Sequence, residues 1–427
     1  MSSQPRKRLG AEEKEISPPL LRRKLNHDYD TKPASEPPLR SRSAPKEARE
    51  GKEGRARFEI LSWNINGISH LLPQTQPSIK SFFRKSSGSG TRQTPETEDE
   101  DETRQYATAE APLRKFLRRH GFPQIVCLQE VKISPKDKMA RKAVERAANG
   151  GDAPGYKASF ELPRDRFNAT GWGGKVYGVC TLVREDVEEQ CERLGTRGVE
   201  WDSEGRVLIT ELEFRSERES AGRKMEKLIV INGYWPNGTA NTWRDSNTGV
   251  VKGSRHDMKR TFHSLMLTEA LRHQEAGWQV VLIGDINIAR LSLDGYPGIR
   301  LGAEHVRNRK EWNELFIESE EGLRGVDSWR WIHSERRGYS YHGEKVEEWG
   351  RSCDRVDLGI VSRGFIGEGE GEKGTGTSMR LVGAEIWETI EERGASDHVP
   401  ISVVLDLGDI RKGDNGDGRK WNNLSED

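Results

Sequence analysis

The chain has 427 residues, of which 32% are charged and 33% hydrophobic, with 45 Gly and 18 Pro but also 12 Trp. That is too polar for a chain packed from end to end, and the tryptophans need cores, so one sizeable folded domain with polar appendages is expected. A formal net charge of +0 excludes a global basic field and leaves nucleic-acid binding to local patches, while no apolar run approaches the roughly 20 residues of a membrane span.

Residues 1–55, rich in Lys, Arg, Glu, Pro and Ser, are predicted to be a disordered tail that opens without the apolar core of a secretory signal. Within it, Arg6-Lys7-Arg8 and Arg22-Arg23-Lys24 are spaced like a bipartite nuclear signal. A plain solvated charge cluster is the alternative, and nuclear localisation is the expectation. The folded domain is predicted over 56–407. It starts with RFEILSW, which alternates like a strand and runs into the turn-forming Asn-Ile-Asn-Gly. Residues 73–110, with SSGSGT and the acidic ETEDEDE, read as a flexible insertion.

The segment APLRKFLRRHG reads as a helix with Leu113, Phe116 and Leu117 on one face and Arg114, Lys115, Arg118 and Arg119 outside. Strand-sized apolar runs follow: QIVCL, VYGVCTLV, RVLITEL, KLIVING, WQVVLIG, RVDLGIVS and PISVVLDL. Among them the clearest helix spans about 255–276, where Met258, Phe262, Leu265 and Leu271 recur at helical spacing. The Gly-rich stretch 367–378 reads as a surface loop and 408–427 as a tail. Cys127, Cys180, Cys191 and Cys353 form no Cys-x-x-Cys pair and read as small buried hydrophobes in a reducing compartment. Strands and helices mixed in this way imply a layered α/β domain.

Polar residues collect where these runs end. Asn64 and Asn66 follow the first, Glu130 the second, Tyr234 and Asn237 KLIVING, and Asp285 and Asn287 WQVVLIG. Asp357 sits in DRVDLGIVS, and Asp397 with His398 precedes PISVVLDL. Strand ends are where a sheet presents catalytic groups. Each residue alone also has a structural explanation, since Asp-x-Asn is ordinary turn chemistry and a lone Glu is usually a solvated loop residue.

Together, SWNING, LQEVK, NGYWPNG, IGDINIA, DRVDLGIVS and ASDHVPI resemble the motifs of the endonuclease/exonuclease/phosphatase superfamily, over about residues 57–407. With LQEVK and EGRVLITEL they are similar to its exonuclease III-like branch of abasic-site (AP) endonucleases. The resemblance implies a deoxyribonuclease I-like fold, a four-layer α/β sandwich of two facing mixed β-sheets flanked by helices, with the active site at one edge. It also implies a phosphodiesterase acting on DNA. Glu130 would hold Mg2+, or Mn2+ in its place, with Asp397 and Asn66 nearby. Asp285 would align or deprotonate water, and Asn287 would orient the phosphate. His398, paired with Asp357, would contact a phosphate oxygen, supported by Tyr234, Asn64 and Asn237. These roles match what phosphodiester hydrolysis needs: charge neutralisation, an oriented water and help for the leaving oxygen.

Two departures stand out. Some relatives carry Asp where this chain has Asn66. The branch also places a Phe-Trp pair where GYSYHGEKVEEWGRSCDRVD stands, so Tyr341, His342 and Trp349 are the residues available to a flipped sugar. Arg164, Arg166, Lys175 and Arg244 are expected to engage DNA. In the insertion, QPSIKSFF resembles a sliding-clamp peptide, or PIP box: a 3-10 turn would join Ile79, Phe82 and Phe83 into one plug while Gln76 fills a polar pocket. The expectation is a monomeric nuclear DNA-repair hydrolase recruited by the sliding clamp (PCNA), with no membrane association. The alternatives are a secreted-type nuclease, an RNA deadenylase or a lipid or inositol phosphatase of the same superfamily, or a degenerate clamp-bound scaffold.

Overall fold

The structure, a computed structural model, describes residues 57–73, 110–150, 154–171, 175–215, 225–343, 348–366 and 377–408. The tail 1–55 with its basic clusters, the clamp-peptide residues Gln76, Ile79, Phe82 and Phe83, nearly all of the insertion, and residues 367–376 and 409–427 lie outside the described residues.

Strand β1 (Arg57–Asn64) is followed by helix α1 (Pro112–Arg119), β2 (Ile125–Gln129) and α2 (Lys138–Asn149). Next come β3 (Tyr156–Glu161), β4 (Val179–Arg184), α3 (Asp186–Gln190), β5 (Cys191–Arg197), β6 (Val207–Arg215) and β7 (Met225–Tyr234). A hairpin of β8 (Thr242–Arg244) and β9 (Val251–Ser254) leads into the long helix α4 (Arg255–Glu275) and β10 (Gln279–Asp285). The chain continues through β11 (Gly295–Tyr296), α5 (Ala303–Asn313), β12 (Val326–Asp327), α6 (Ser328–His333), β13 (Tyr341–His342) and β14 (Cys353–Asp354). It ends in β15 (Asp357–Val361), β16 (Arg380–Ile386), α7 (Ile390–Arg393) and β17 (Ile401–Asp406).

Two six-stranded sheets result, in the orders β16-β17-β1-β2-β4-β3 and β12-β15-β10-β7-β6-β5. Both are mixed: β1 runs parallel to β2, and β10 to β7, among antiparallel neighbours. The period of two along each strand sorts the side chains into layers. Phe58, Ile60, Ile125 and Cys127 meet Leu228, Val230, Val281 and Ile283 in a cluster between the sheets. The alternate residues Leu61, Trp63, Val126 and Leu128 pack with Leu113, Phe116 and Leu117 of α1. On the second sheet, Val280 and Leu282 pack with Phe262 and Met266 of α4 and Trp312 of α5. Helix, sheet, sheet, helix is the four-layer sandwich expected from the motifs. All four cysteines are buried and unpaired, as expected. Among the described residues, no helix is long and apolar enough to cross a membrane.

Two helix faces differ from their predicted patterns. Arg114, expected outside α1, is buried at 1% exposure, and its Nη1 donates to the Ala148 and Pro154 carbonyl oxygens. The carbonyls at the end of α2 and before β3 replace water as its partners. On α4 the buried residues are Phe262, Met266 and Ala270 together with Arg255, His256, Lys259, His263 and His273, whereas Leu265 and Leu271 are only partly covered. Polar side chains occupy that face because they have partners there: Lys259 in the loop after β10, His256 and His263 at Asn308 and Glu311 of α5, and His273 at Glu269.

One buried charge network secures the strand that carries Asp357. Arg355, 0% exposed, donates to Asp294 from Nε (2.8 Å) and Nη2 (3.1 Å), and to Asp327 from Nη1 (3.1 Å) and Nη2 (2.7 Å). Removing one partner of such a pair leaves buried charge uncompensated, so Arg355→Met is expected to lose about 3–5 kcal/mol in urea unfolding. A loss below about 1 kcal/mol would show that the network has no structural weight.

Candidate active site

The register of the second sheet brings three residues into one row. Asp285, the last residue of β10, stands opposite Tyr234 of β7 on one side and Asp357 of β15 on the other. The strands pinch at this level: a Cβ on Gly284 would stand 1.9 Å from the Gly233 carbonyl oxygen, so only glycine lets β7 and β10 approach here. From the first sheet, Asn64 ends β1, Glu130 follows β2, and His398 lies just before β17. The parallel β1–β2 pair and the antiparallel return of β17 put these three termini at one edge.

Asn64 bridges the sheets. Its Nδ2 donates to Glu130 Oε1 at 3.1 Å and to Asp285 Oδ2 at 3.0 Å. The Tyr234 hydroxyl donates to the same Glu130 oxygen at 2.6 Å, and Lys132 Nζ lies 2.9 Å from Glu130 Oε2. Burial by itself would raise the Glu130 carboxyl, but the Lys132 charge and these hydrogen bonds outweigh it and hold the group below its ordinary value. Burial and the Glu130 charge push the Tyr234 phenol well up, so it acts as a donor. Glu130 holds φ at 53°, a left-handed conformation that costs a residue with a Cβ about 1–2 kcal/mol. Asn66, Lys132 and Asn287 also have positive φ. Phe122, Tyr177, Arg324 and Ser334 share this conformation, so the strain is a feature of the site loops and of other turns alike.

His398 sits between carboxylates. Its Nδ1 is 2.7 Å from Asp357 Oδ2, and its Nε2 lies 3.9 Å from both Asp285 Oδ2 and Asp397 Oδ1. Burial opposes the charged ring, yet Asp357 and Asp285 prevail and hold the imidazolium well above its ordinary pKa. Burial pushes the Asp285 carboxyl up to about 7, with His398 pulling it down and Asp357 adding to the rise. Asn287 closes an Asx turn on Asp285, its backbone N donating to Oδ1 at 2.9 Å, and its Nδ2 donates to Asp285 Oδ2 and to the Trp235 carbonyl. Turn chemistry and site chemistry therefore coincide at Asp285-x-Asn287.

Donor type bears on which cation these residues suit. Lys132 Nζ hydrogen-bonds to Asn66 Oδ1 as well as pairing with Glu130, so a positive charge already stands between two residues expected to ligate metal. Hard oxygen donors with that demand fit a Mg2+-like ion. Asp285, Asp357 and His398 also bring ligand atoms within 4.8 Å of one another, but there the imidazolium already balances the carboxylates.

Sequence reasoning missed several supports. Ser396 Oγ donates to the Asn64 carbonyl at 2.6 Å and accepts from the His398 backbone N at 3.1 Å. Trp63 Nε1 donates to the His398 carbonyl, and Ser340 Oγ accepts from the Val356 and Asp357 backbone N–H groups. LQEVK already contained Lys132, ASDHVPI contained Ser396 and GYSYHG contained Ser340, but only the folded contacts give them these parts. Asn237 is engaged by Arg300 Nη1 at 3.2 Å. In the altered aromatic region, the Tyr341 ring stands edge-on to His398 at 5.1 Å, and buried His342 stacks on Trp349 at 3.8 Å. The expected DNA-contacting Arg164, Arg166, Lys175 and Arg244 are all exposed, with Arg164 bonded to Asp202 O and Glu161 and Arg244 to Gly249 O.

Carboxylates, an imidazolium and amides thus meet at one sheet edge. The Endonuclease/Exonuclease/phosphatase family model matches residues 61–356, and the chain belongs to that family. Among solved structures, the catalytic domain of APE2 from Xenopus laevis superposes with a TM-score of 0.51 at 19% identity, over 83% of this chain and 93% of that one. That likeness shows the shared fold. The AP endonuclease LMAP from Leishmania major gives 0.49 at 16% identity, over 82% and 88% of the two chains. An AP endonuclease from Archaeoglobus fulgidus gives 0.47 at 18%, over 82% and 100%. No curated protein sequence matches significantly.

Proposed function

We propose that the chain is a divalent-metal-dependent phosphodiesterase of the exonuclease III-like branch, acting on duplex DNA by incision beside abasic sites. The observation that carries this reading is the single row Tyr234–Asp285–Asp357 facing Glu130, Asn64 and His398 across the sheets. Glu130 and Asn66, with Asp397 beside His398, are the residues proposed to hold the metal. A bound divalent cation would neutralise the non-bridging oxygens and serve as a Lewis acid. Asp285 accepts the proton of the attacking water at its carboxylate, which Asn64 and Asn287 hold in place. His398, kept protonated by Asp357, donates from Nε2 to a phosphate oxygen. Tyr234 fixes Glu130 through its hydroxyl. A second reading, trimming of blocked 3′ ends, rests on the altered aromatic region, where His342 stacks on Trp349 in place of a Phe-Trp pair.

A duplex bearing one tetrahydrofuran abasic analogue, incubated with and without Mg2+ beside Glu130→Ala, is the test. Incision 5′ to the lesion that needs both the metal and Glu130 is expected. Mg2+-dependent degradation of 3′ ends alone would transfer the protein to end processing, and silence on every DNA substrate would defeat the nuclease reading. Clamp recruitment through Gln76, Ile79, Phe82 and Phe83, and nuclear import, belong to the same proposal. Phe82→Ala with Phe83→Ala is expected to abolish calorimetrically measured clamp binding while cleavage persists; retained binding would remove the clamp from the reading.

A further inference from the structure

Arg206, the residue before β6, is 1% exposed and holds Tyr234 at three points. Its carbonyl oxygen accepts from the Tyr234 backbone N at 2.9 Å, and its Nη1 donates to the Tyr234 carbonyl at 3.1 Å. The guanidinium carbon also stands 4.6 Å from the centroid of the Tyr234 ring and 3.9 Å from that of Tyr177. The same Tyr234 ring packs with the apolar Val179 and Leu208.

A buried guanidinium is costly, and a matched set of partners keeps this one in place. Its Nε donates to Glu204 Oε2 at 2.7 Å. Arg255, which opens α4, donates to the same carboxylate from Nη1 and Nη2 at 2.5 and 2.6 Å. The Asp202 carboxylate accepts from the backbone N of Arg206 and of Val207. Burial by itself would raise the Glu204 carboxyl, but the charges of Arg206 and Arg255 bring it down to about 2. Well-packed apolar side chains fill such a volume with equal or greater stability, so stability alone gives no reason for the cluster. What an apolar filler cannot do is orient a phenol. The Tyr234 hydroxyl donates to Glu130 Oε1 at 2.6 Å from the far end of its side chain, where a small tilt of the ring breaks the bond. Burial and the Glu130 charge push that phenol up while Arg206 pulls it the other way, which strengthens the hydroxyl as a donor.

We propose, on the phosphodiesterase reading above, that Arg206 is a positioning residue of the active site, holding Tyr234 in the pose in which its hydroxyl supports Glu130. Arg206 acts on the reaction through Tyr234, while Glu204 and Arg255 fix the guanidinium against the ring.

The test is a double-mutant cycle. Arg206→Lys keeps a charge beside Glu204 but loses the planar fork, and Tyr234→Phe keeps the ring but loses the hydroxyl. On the DNA substrate that wild type cleaves, Arg206→Lys is expected to lower kcat about tenfold to a hundredfold with KM within about threefold. Mn2+ affinity, measured by calorimetry without DNA, should fall by about the same factor. In the Tyr234→Phe background the same replacement should cost less than about twofold in either quantity. Arg255→Lys is the control: it loosens the same cluster, so its Tm should fall about as far as that of Arg206→Lys while kcat stays within about twofold. Glu204→Gln, which frees the guanidinium without removing it, takes the place of Arg206→Lys if that variant does not fold. Losses that multiply in the double variant, or an equal loss of kcat in Arg255→Lys, would make Arg206 merely structural and overturn the proposal. If wild type cleaves no DNA, the phosphodiesterase reading has failed, and a crystal structure of the Arg206→Lys or Glu204→Gln protein decides the positioning role. A Tyr234 hydroxyl withdrawn from Glu130 would uphold that role, and a hydroxyl still bonded there would remove it.

Discussion

Replacing His398 by alanine is expected to lower kcat for phosphodiester cleavage by about a thousandfold or more, through loss of both a proton-bearing donor and a fixed positive charge. The ring is buried and aligned by Asp357 at 2.7 Å, so its Nε2 faces the space shared with Asp285 and Asp397. The pH profile separates this role from a structural one. If Asp285 is the proposed base, it works once ionised, so activity should rise with pH through about 7, the value to which burial raises that carboxyl. The imidazolium is held well above its ordinary pKa by Asp357 and Asp285 against burial, so the alkaline limb should fall only after a plateau. Asp357→Asn removes the first of those charges and should draw the alkaline limb down toward neutrality while lowering kcat. An alkaline limb unmoved in Asp357→Asn would mean that a different group sets it, and His398 would lose its assigned part.

The second large effect concerns Glu130. Glu130→Ala removes the acceptor shared by Asn64 and Tyr234 and the carboxylate paired with Lys132. Activity is expected to fall by roughly 10^3-fold, with the stimulation by Mg2+ lost over any accessible concentration. Backbone strain supplies an internal control. At φ 53° alanine keeps its Cβ penalty whereas glycine does not, so Glu130→Gly should be as inactive as Glu130→Ala yet more stable by about 1 kcal/mol. Denaturant melts with parallel metal titrations read both quantities. A Glu130→Gly protein that retained Mg2+-stimulated cleavage would show that the carboxylate is there for the turn and not for the reaction.

Much of this molecule could be read from the chain alone, because strand and site signals are local. The alternation in RFEILSW and the run QIVCL already contain the division of Phe58, Ile60, Ile125 and Cys127 from Leu61, Trp63, Val126 and Leu128, since a pleated strand sends neighbours to opposite faces. The residues at the ends of those runs were therefore legible as one set. What each does to the others was not. That Asp285 lies in one row with Tyr234 and Asp357, and that Asn64 reaches from one sheet to the other, depends on cross-strand register and on the packing of two sheets. Those pairings join positions 221 residues apart in the case of Asn64 and Asp285, and no local pattern encodes them.

Buried charge was hidden for the same reason. Arg114 and Lys259 look like solvent-facing residues on helices, and only carbonyl oxygens contributed by other segments make their burial tolerable. Likewise Trp349 could be counted from the sequence, but its stacking on His342 is a tertiary contact. Composition and period thus determined the layers and the inventory of reactive groups. The tertiary structure alone decided their distances and their charge states, because desolvation and Coulomb energy depend on where distant segments meet.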